Sequence, residues 1–315
     1  MKYDALEIAR IIGQPLDPRK PYPQIVEMLC ETDTAEPQEY VYYFDVLTET
    51  EKIYAINNGV VTTEEVSFDT PASLSFTDVA TPEYKIILTD YASRKENALA
   101  RKNLTINRAL NSYETYTVIQ LLSTAASASS QAVTLGSGYT RFSYPHVIDM
   151  LEYVQDYGDN YSLVIGANSW KDLKLWNWND NKYHNLNQAW ADLNIEMTRL
   201  SLAGSAQTFS YDDDNSGGVT STDILGANSA YLVAKDTVMG KPMLFVRKKL
   251  DSVKELAGVM ATDGDNPERL ILVSPNPVTT SGTTGTRKLA IGVTGLEQIA
   301  AAVTNSQGVC SFTRS

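Results

Sequence analysis

Cysteine, histidine and basic side chains are all scarce in this chain. Its 315 residues include two cysteines and two histidines. Cys30 and Cys310 stand far apart in sequence, so they supply neither a disulfide framework nor a four-cysteine zinc site. His146 and His184 are little raw material for imidazole catalysis or transition-metal binding. Lys and Arg number 26 against 38 Asp and Glu, a formal charge of −12. Gripping nucleic acid by neutralising phosphates requires the opposite balance. No apolar run approaches the roughly 18–20 residues of a membrane helix. Met1 to Gly13 alternates Lys2, Asp4, Glu7 and Arg10 with apolar residues, and no apolar signal core follows. The expectation is a soluble protein made in a reducing cytoplasm and kept or assembled there.

Catalytic signatures are missing too. There is no Gly-x-Ser-x-Gly, no Walker loop and no His-Glu-x-x-His. Gly136-Ser-Gly138 lacks the third glycine of a dinucleotide fingerprint. Glu64 and Glu65 are adjacent, so on a strand they project to opposite sides and cannot act as an acid/base pair. The expectation is a protein that is not an enzyme. What is present is an ordinary globular balance, 43% hydrophobic and 20% charged, with 18 tyrosines against 7 phenylalanines. The length is enough for one large or two ordinary domains.

Along the chain, Pro15, Pro18, Pro21, Pro23 and Pro37 mark residues 1–37 as an extended arm, with short helices at Asp4 to Ile12 and Ile25 to Cys30. Deleting 1–37 should then leave the core folded. Tyr40 to Leu47 is rich in strand formers, Asn57-Asn58-Gly59 signals a turn, and Tyr84 to Thr89 is strand-like again. These residues predict one long antiparallel ribbon. The longest helix is expected from Arg94 to Ala126, with Leu99, Ile106, Leu110, Tyr113, Thr117 and Leu121 at helical spacing. Ser93 and Glu96 have the spacing of a capping box at its start. Helix His146 to Tyr157, strand Tyr161 to Ile165 and a helix capped by Asn168 form an α/β unit. Strands are expected at Leu193–Leu200, Ala230–Ala234, Met243–Val246, Leu270–Val273 and Leu289–Val293. Arg247-Lys248-Lys249 reads as a solvated basic run at a strand end, unless an acidic surface meets it.

Two local features carry ligand chemistry. Counted from Asp212, the loop to Asp223 places Asp212, Asp214, Ser216, Gly218, Thr220 and Asp223 at the ligand positions of an EF-hand-type calcium loop, with Gly217 at the sharp turn. It resembles the calcium loop of dockerin modules. The plainer reading is an acidic hairpin loop between Phe209 and Leu225. Calcium is the only cofactor considered, and none is required. Trp170, Trp176, Trp178 and Trp190 fall close together beside several asparagines. They read first as cover for a core, since Trp buries most of its area, and second as a sugar-stacking surface. Loop and cluster together define an alternative function, a calcium-stabilised carbohydrate-binding module.

The order of parts carries a larger resemblance. A proline-containing arm is followed by a ribbon ending in Thr81-Pro-Glu-Tyr-Lys-Ile-Ile-Leu88, then an uninterrupted helix, an α/β unit and a late return to β-structure. Asn228 to Asp236 with Gly240 to Arg247 looks like a late strand pair, and Ala301 to Val309 looks like a terminal strand. This resembles the major capsid proteins of tailed bacteriophages with the HK97 fold. The resemblance implies an α+β fold with 1–37 as N-terminal arm and 38–90 as extended β-ribbon (E-loop). Residues 91–140 would be a peripheral domain with a long spine helix, 141–240 an α/β axial domain, and 241–315 the return strands. It implies a structural subunit that self-assembles through hexamers and pentamers into an icosahedral virion capsid in the host cytoplasm. It also implies contacts with scaffold, portal and decoration proteins, no membrane, and DNA enclosed without sequence-specific binding. Some family members crosslink a Lys to an Asn; Lys85 lies in the ribbon, but no partner can be named, so no catalytic residue is carried over.

Overall fold

A fifteen-residue strand near the end of the chain, Leu289–Val303, organises the larger of two principal sheets in the computed structural model. The structure describes residues 25–44, 72–136, 138–180, 191, 193–199, 208–211, 220–235, 240–250, 259–261, 267–273, 278–279 and 289–314. In chain order, α1 (Ile25–Leu29) leads to β1 (Glu31–Ala35), β2 (Val41–Phe44), β3 (Ala72–Ser75), β4 (Thr77–Ala80) and β5 (Tyr84–Ile87). Then come α2 (Leu88–Ala128), β6 (Ala132–Val133), α3 (Tyr144–Val154), β7 (Tyr161–Ile165), α4 (Ala167–Asp180) and β8 (Ile195–Arg199). They are followed by β9 (Thr208–Tyr211), β10 (Thr220–Asp223), β11 (Ser229–Ala234), β12 (Met243–Lys248) and β13 (Val259–Ala261). The last strands are β14 (Arg269–Val273), β15 (Val278–Thr279), β16 (Leu289–Val303) and β17 (Val309–Thr313).

β16 takes partners along both edges. Ile299 pairs with Arg247 of β12 and with Thr77 of β4. Glu297 pairs with Arg269 of β14 and Val79 of β4, and Val293 with Val273 of β14 and Tyr84 of β5. The ribbon predicted over residues 40–90 therefore divides. Only β2 and β3 form the hairpin root, Val41 opposite Ser75, while β4 and β5 are sheet strands. The predicted terminal strand at 301–309 also divides. β16 ends at Val303, a turn follows, and β17 belongs to the second sheet.

Strand alternation gives the larger sheet two apolar faces. Met243, Phe245, Ile271, Val293 and Ile299 lie under α2, meeting its Ile106, Leu110 and Val118. Leu244, Val246 and Ala300 face the other way and are covered by Tyr42, Phe44, Leu74 and Phe76 of the ribbon root and the residue after it. The second sheet runs β6-β17-β11-β7-β8, with β7 and β8 parallel across the α4 crossover. Its Leu163, Ile165, Leu232 and Phe312 pack with Val147 and Met150 of α3 and Leu173 of α4. Its opposite face, Val164, Val233 and Val309, joins the cluster around Leu122 and Ala125. The C-terminal half of α2 thus serves both sheets.

α2 has 41 residues, which at 1.5 Å per residue is roughly 60 Å. It starts six residues earlier than the sequence signals suggest. Ile87 is extended (φ −62, ψ 136) and stands at the cap position with no side-chain cap, so Ser93 and Glu96 lie within the helix and not at its start. Buried hydroxyls along it find local acceptors: Ser112 donates to Arg108 O (2.7 Å) and Thr115 to Asn111 O (2.8 Å). It stops where Ser130 adopts φ 56 and Gln131 N–H returns to Ala126 O at 3.1 Å.

α2 comes close against the sheet at Gly295. A Cβ there would lie 2.2 Å from Ile106 Cγ2, and Ile106 is fully buried with nowhere to go. Gly295→Ala is expected to cost about 1–3 kcal/mol through overpacking, read as a melting temperature several degrees lower. An unchanged melting temperature would show that the helix can lift at no cost.

Candidate assembly surfaces

The seat of α2 on the sheet is ionic as well as apolar. Alternation places Arg247 (β12), Glu297 (β16) and Arg269 (β14) on the helix-facing side, and the helix lowers Glu114 among them. Arg247 grips Glu114 with two donors, Nε to Oε1 at 2.8 Å and Nη2 to Oε2 at 3.1 Å. Arg269 Nη2 reaches Glu114 Oε1 at 2.9 Å, its Nε reaches Glu297 Oε2 at 2.7 Å, and its Nη1 donates to Asn111 Oδ1 at 2.7 Å. Both carboxylates are buried, Glu114 3% and Glu297 2% exposed. Glu27 of α1 (3.6 Å) and Glu268 (3.9 Å) approach Arg247 from the rim. Burial pushes the Glu297 carboxyl up to about 7, an effect Arg269 opposes and Glu114 reinforces.

This overturns the reading of Arg247-Lys248-Lys249 as a solvated run. Arg247 enters the cluster under α2. Lys248, 7% exposed, points to the other face, its Nζ 5.0 Å from the Tyr40 ring centroid and 5.3 Å from that of Phe76. Lys249 pairs with Glu36 at 2.6 Å. The period-2 alternation of a strand could have separated Arg247 from Lys248. Their partners, distant in sequence, left no local signal.

Lys248 and the bond from Tyr42 Oη to Asp33 fix the ribbon root on the chain's own larger sheet. Beyond Phe44 the ribbon residues 45–71 lie outside the described residues. At the root, Tyr40 and Tyr43 are 83% and 66% exposed, the most exposed large apolar side chains among the described residues.

The segment predicted as a free arm is only partly so placed. Residues 1–24 lie outside the described residues. From Ile25 onward the chain belongs to the core: Ile25, Val26, Leu29 and Cys30 are at most 4% exposed. Lys241 Nζ donates to the carbonyls of Glu27 and Cys30, closing the end of α1. β1 then pairs parallel with β12, Glu31 opposite Leu244. The apolar stretch Ile25-Val-Glu-Met-Leu-Cys30 was the available signal.

Of the predicted calcium ligands, Asp212, Asp214, Ser216 and Gly218 lie outside the described residues. Thr220 and Asp223 belong to β10, which pairs antiparallel with β9, Thr220 opposite Tyr211. No group of three or more His, Cys, Asp and Glu able to hold a metal occurs among the described residues. Of the tryptophans, Trp170 is half-buried against the second core with Lys174 Nζ 4.8 Å from its ring centroid. Trp176 and Trp178 are on α4, and Trp190 lies outside the described residues. Asn168 sits in the first turn of α4 rather than at its cap, its N–H bonded to Ala227 O at 2.8 Å.

Both cysteines are sealed. Burial pushes the Cys30 and Cys310 thiols up to about 12, so neither carries a reactive thiolate. His146 lies at the start of α3 among Tyr139, Phe142 and Phe312. Its Nδ1 accepts from Ser143 N–H at 3.1 Å, which assigns the ring proton to Nε2. Burial lowers its pKa, against the pull of Asp149 and the Ser143 backbone. It is a core capping residue. Among the described residues no helix is long and apolar enough to cross a membrane.

Solved structures share this architecture over its full length. The chain aligns over 100% of its residues with 93% of a chain from the capsid structure of the cyanophage P-SCSP1u, at 10% identity and a TM-score of 0.57. A structure from Microbacterium phage Oxtober96 aligns over 100% of both chains at 9% identity and a TM-score of 0.56. One from Mycobacterium phage Bobi covers 100% of this chain and 99% of its own, at 12% identity and a TM-score of 0.55. No protein-family model and no curated protein matches the sequence. The chain has the mixed α+β, HK97-like fold of phage capsid structures.

Proposed function

We propose that this chain is the repeating structural subunit of an icosahedral phage head, a shell protein rather than an enzyme. The observation that carries the reading is the end-to-end likeness to the cyanophage capsid chain, 100% of one against 93% of the other. The geometry supports it. β2 and β3 pair as the root of a hairpin, and a two-stranded hairpin is marginal in water without something to lie on. Exposed Tyr40 and Tyr43 at that root suit contact with another copy.

In this reading the ribbon lies across a neighbour's long helix, and residues 1–24 reach along an adjacent subunit. The domain built on the second sheet meets its symmetry mates at capsomer centres. Such contacts are heterologous and close by rotation into hexamers and pentamers. Portal, scaffold and decoration proteins are the further partners, in a virion assembled in the host cytoplasm. The charge of −12 suits a container that holds DNA without binding its sequence.

Negative-stain microscopy of the expressed chain, alone and with its scaffold, is expected to show shells or capsomer rings. A monodisperse monomer under every condition would overturn the reading.

A further inference from the structure

The cluster beneath α2 holds more carboxylates than it can pair. Glu297 presents Arg269 from the neighbouring β14 with one oxygen. Its other oxygen, Oε1, is buried and has no hydrogen-bond partner. Among the described residues, charged groups face it from three elements. α2 contributes Glu114 beside the neutral Asn111, β14 contributes Arg269, and β12 contributes Arg247. β4 places Val79 opposite Glu297, and the carboxylate of the adjacent Asp78 is bonded to Gln298. Glu27 and Glu268 add two more carboxylates around Arg247. Among the described residues, two guanidiniums therefore face four carboxylates, and the deepest of the four has an unsatisfied oxygen.

We propose that Glu114, Arg247, Arg269 and Glu297 form a proton-linked joint, in which a proton held by the Glu297 carboxyl tightens the seat of α2 on the sheet and its release loosens that seat. The physical cause is twofold. A neutral carboxyl tolerates a buried, unpartnered oxygen far better than a carboxylate does. Neutralising Glu297 also removes its charge from the competition with Glu114 for Arg269.

The sign follows from linkage. The ordinary glutamate value is 4.5, and burial moves Glu297 to about 7. Between those values the folded chain keeps a proton that the unfolded chain has released. This contribution to stability is fully present below the lower value and is lost as pH rises through the upper one. The joint does not depend on the shell reading, since it lies within one subunit.

The test is the melting temperature of the full chain from about pH 5 to pH 8, wild type against Glu297→Gln. The variant keeps the shape and an acceptor for Arg269 but cannot titrate. The two are expected to melt close together at the acid end, with the wild type falling several degrees below the variant at the alkaline end. A gap that is constant with pH, or that moves the other way, overturns the proposal. Infrared difference spectroscopy of the wild-type chain is the second measurement, and it needs no folded variant. A protonated-carboxyl C=O band at slightly acid pH that disappears by about pH 8 supports the proposal; its absence overturns it.

Discussion

Glu114→Ala should destabilise the fold by about 3–5 kcal/mol, because it leaves two guanidiniums buried without their common partner. Arg247 donates to Glu114 twice, Arg269 donates to it once, and the Arg247 and Arg269 side chains are 17% and 19% exposed. Glu27 and Glu268 already stand within 4 Å of Arg247 and recover part of the loss, which favours the lower end of the range. Arg269 keeps its bonds to Glu297 and Asn111. Glu114→Gln, which keeps the volume and one acceptor, should lose less than Glu114→Ala. Denaturant unfolding reads both. A loss below about 1 kcal/mol for Glu114→Ala would mean that the cluster is solvated in solution.

Two truncations should part company just as sharply. A chain lacking residues 1–24 is expected to melt near the full-length temperature, and one lacking 1–37 to be unfolded or insoluble. The longer deletion removes Ile25, Val26 and Leu29 from the central core, each contributing about 1.5–3 kcal/mol by burial. It also strips β1 from the edge of β12 and uncovers Leu244 and Val246 beside it. This reverses the expectation drawn from the proline pattern, that removing all 37 residues would leave the core folded and block only assembly. Far-UV circular dichroism with heating distinguishes the outcomes. Equal melting of the two truncations would show that α1 and β1 add nothing to the fold.

That reversal shows what kind of information the sequence holds. Periodicity made the body of α2 legible, since Ile106, Leu110 and Leu121 recur at helical spacing whatever they pack on. Its start was not legible, because Ile87 passes directly from strand to helix and no capping side chain marks the change. Strands β7, β11, β12 and β14 were readable as apolar runs. Their partners were not, because pairing is set by elements far apart in the chain. The ribbon was drawn too long for the same reason: β4 and β5 have the alternation of ribbon strands, and only the presence of β16 shows that they belong to a sheet. The order of parts was enough for the HK97-like fold. The charge cluster was invisible, because Glu114 and Arg247 stand 133 residues apart and neither has a telling neighbour.

The placement of β16 also bears on when the fold can be completed. Ile87 pairs with Ala290, and the buried side of α2 rests on Val293 and Ile299. At about 5–20 residues per second, a ribosome needs roughly 10–40 s to travel from the first of these elements to the last. During that interval α2 has emerged with its apolar side uncovered, and β4 and β5 have no strand to join. Long-range pairing of this kind is the slow part of folding. The two faces that hold the ribbon root and the long helix are both completed by the same late strand. A nascent chain therefore cannot present either finished face until Leu289–Val303 has emerged, which ties the completion of both faces to one event in translation.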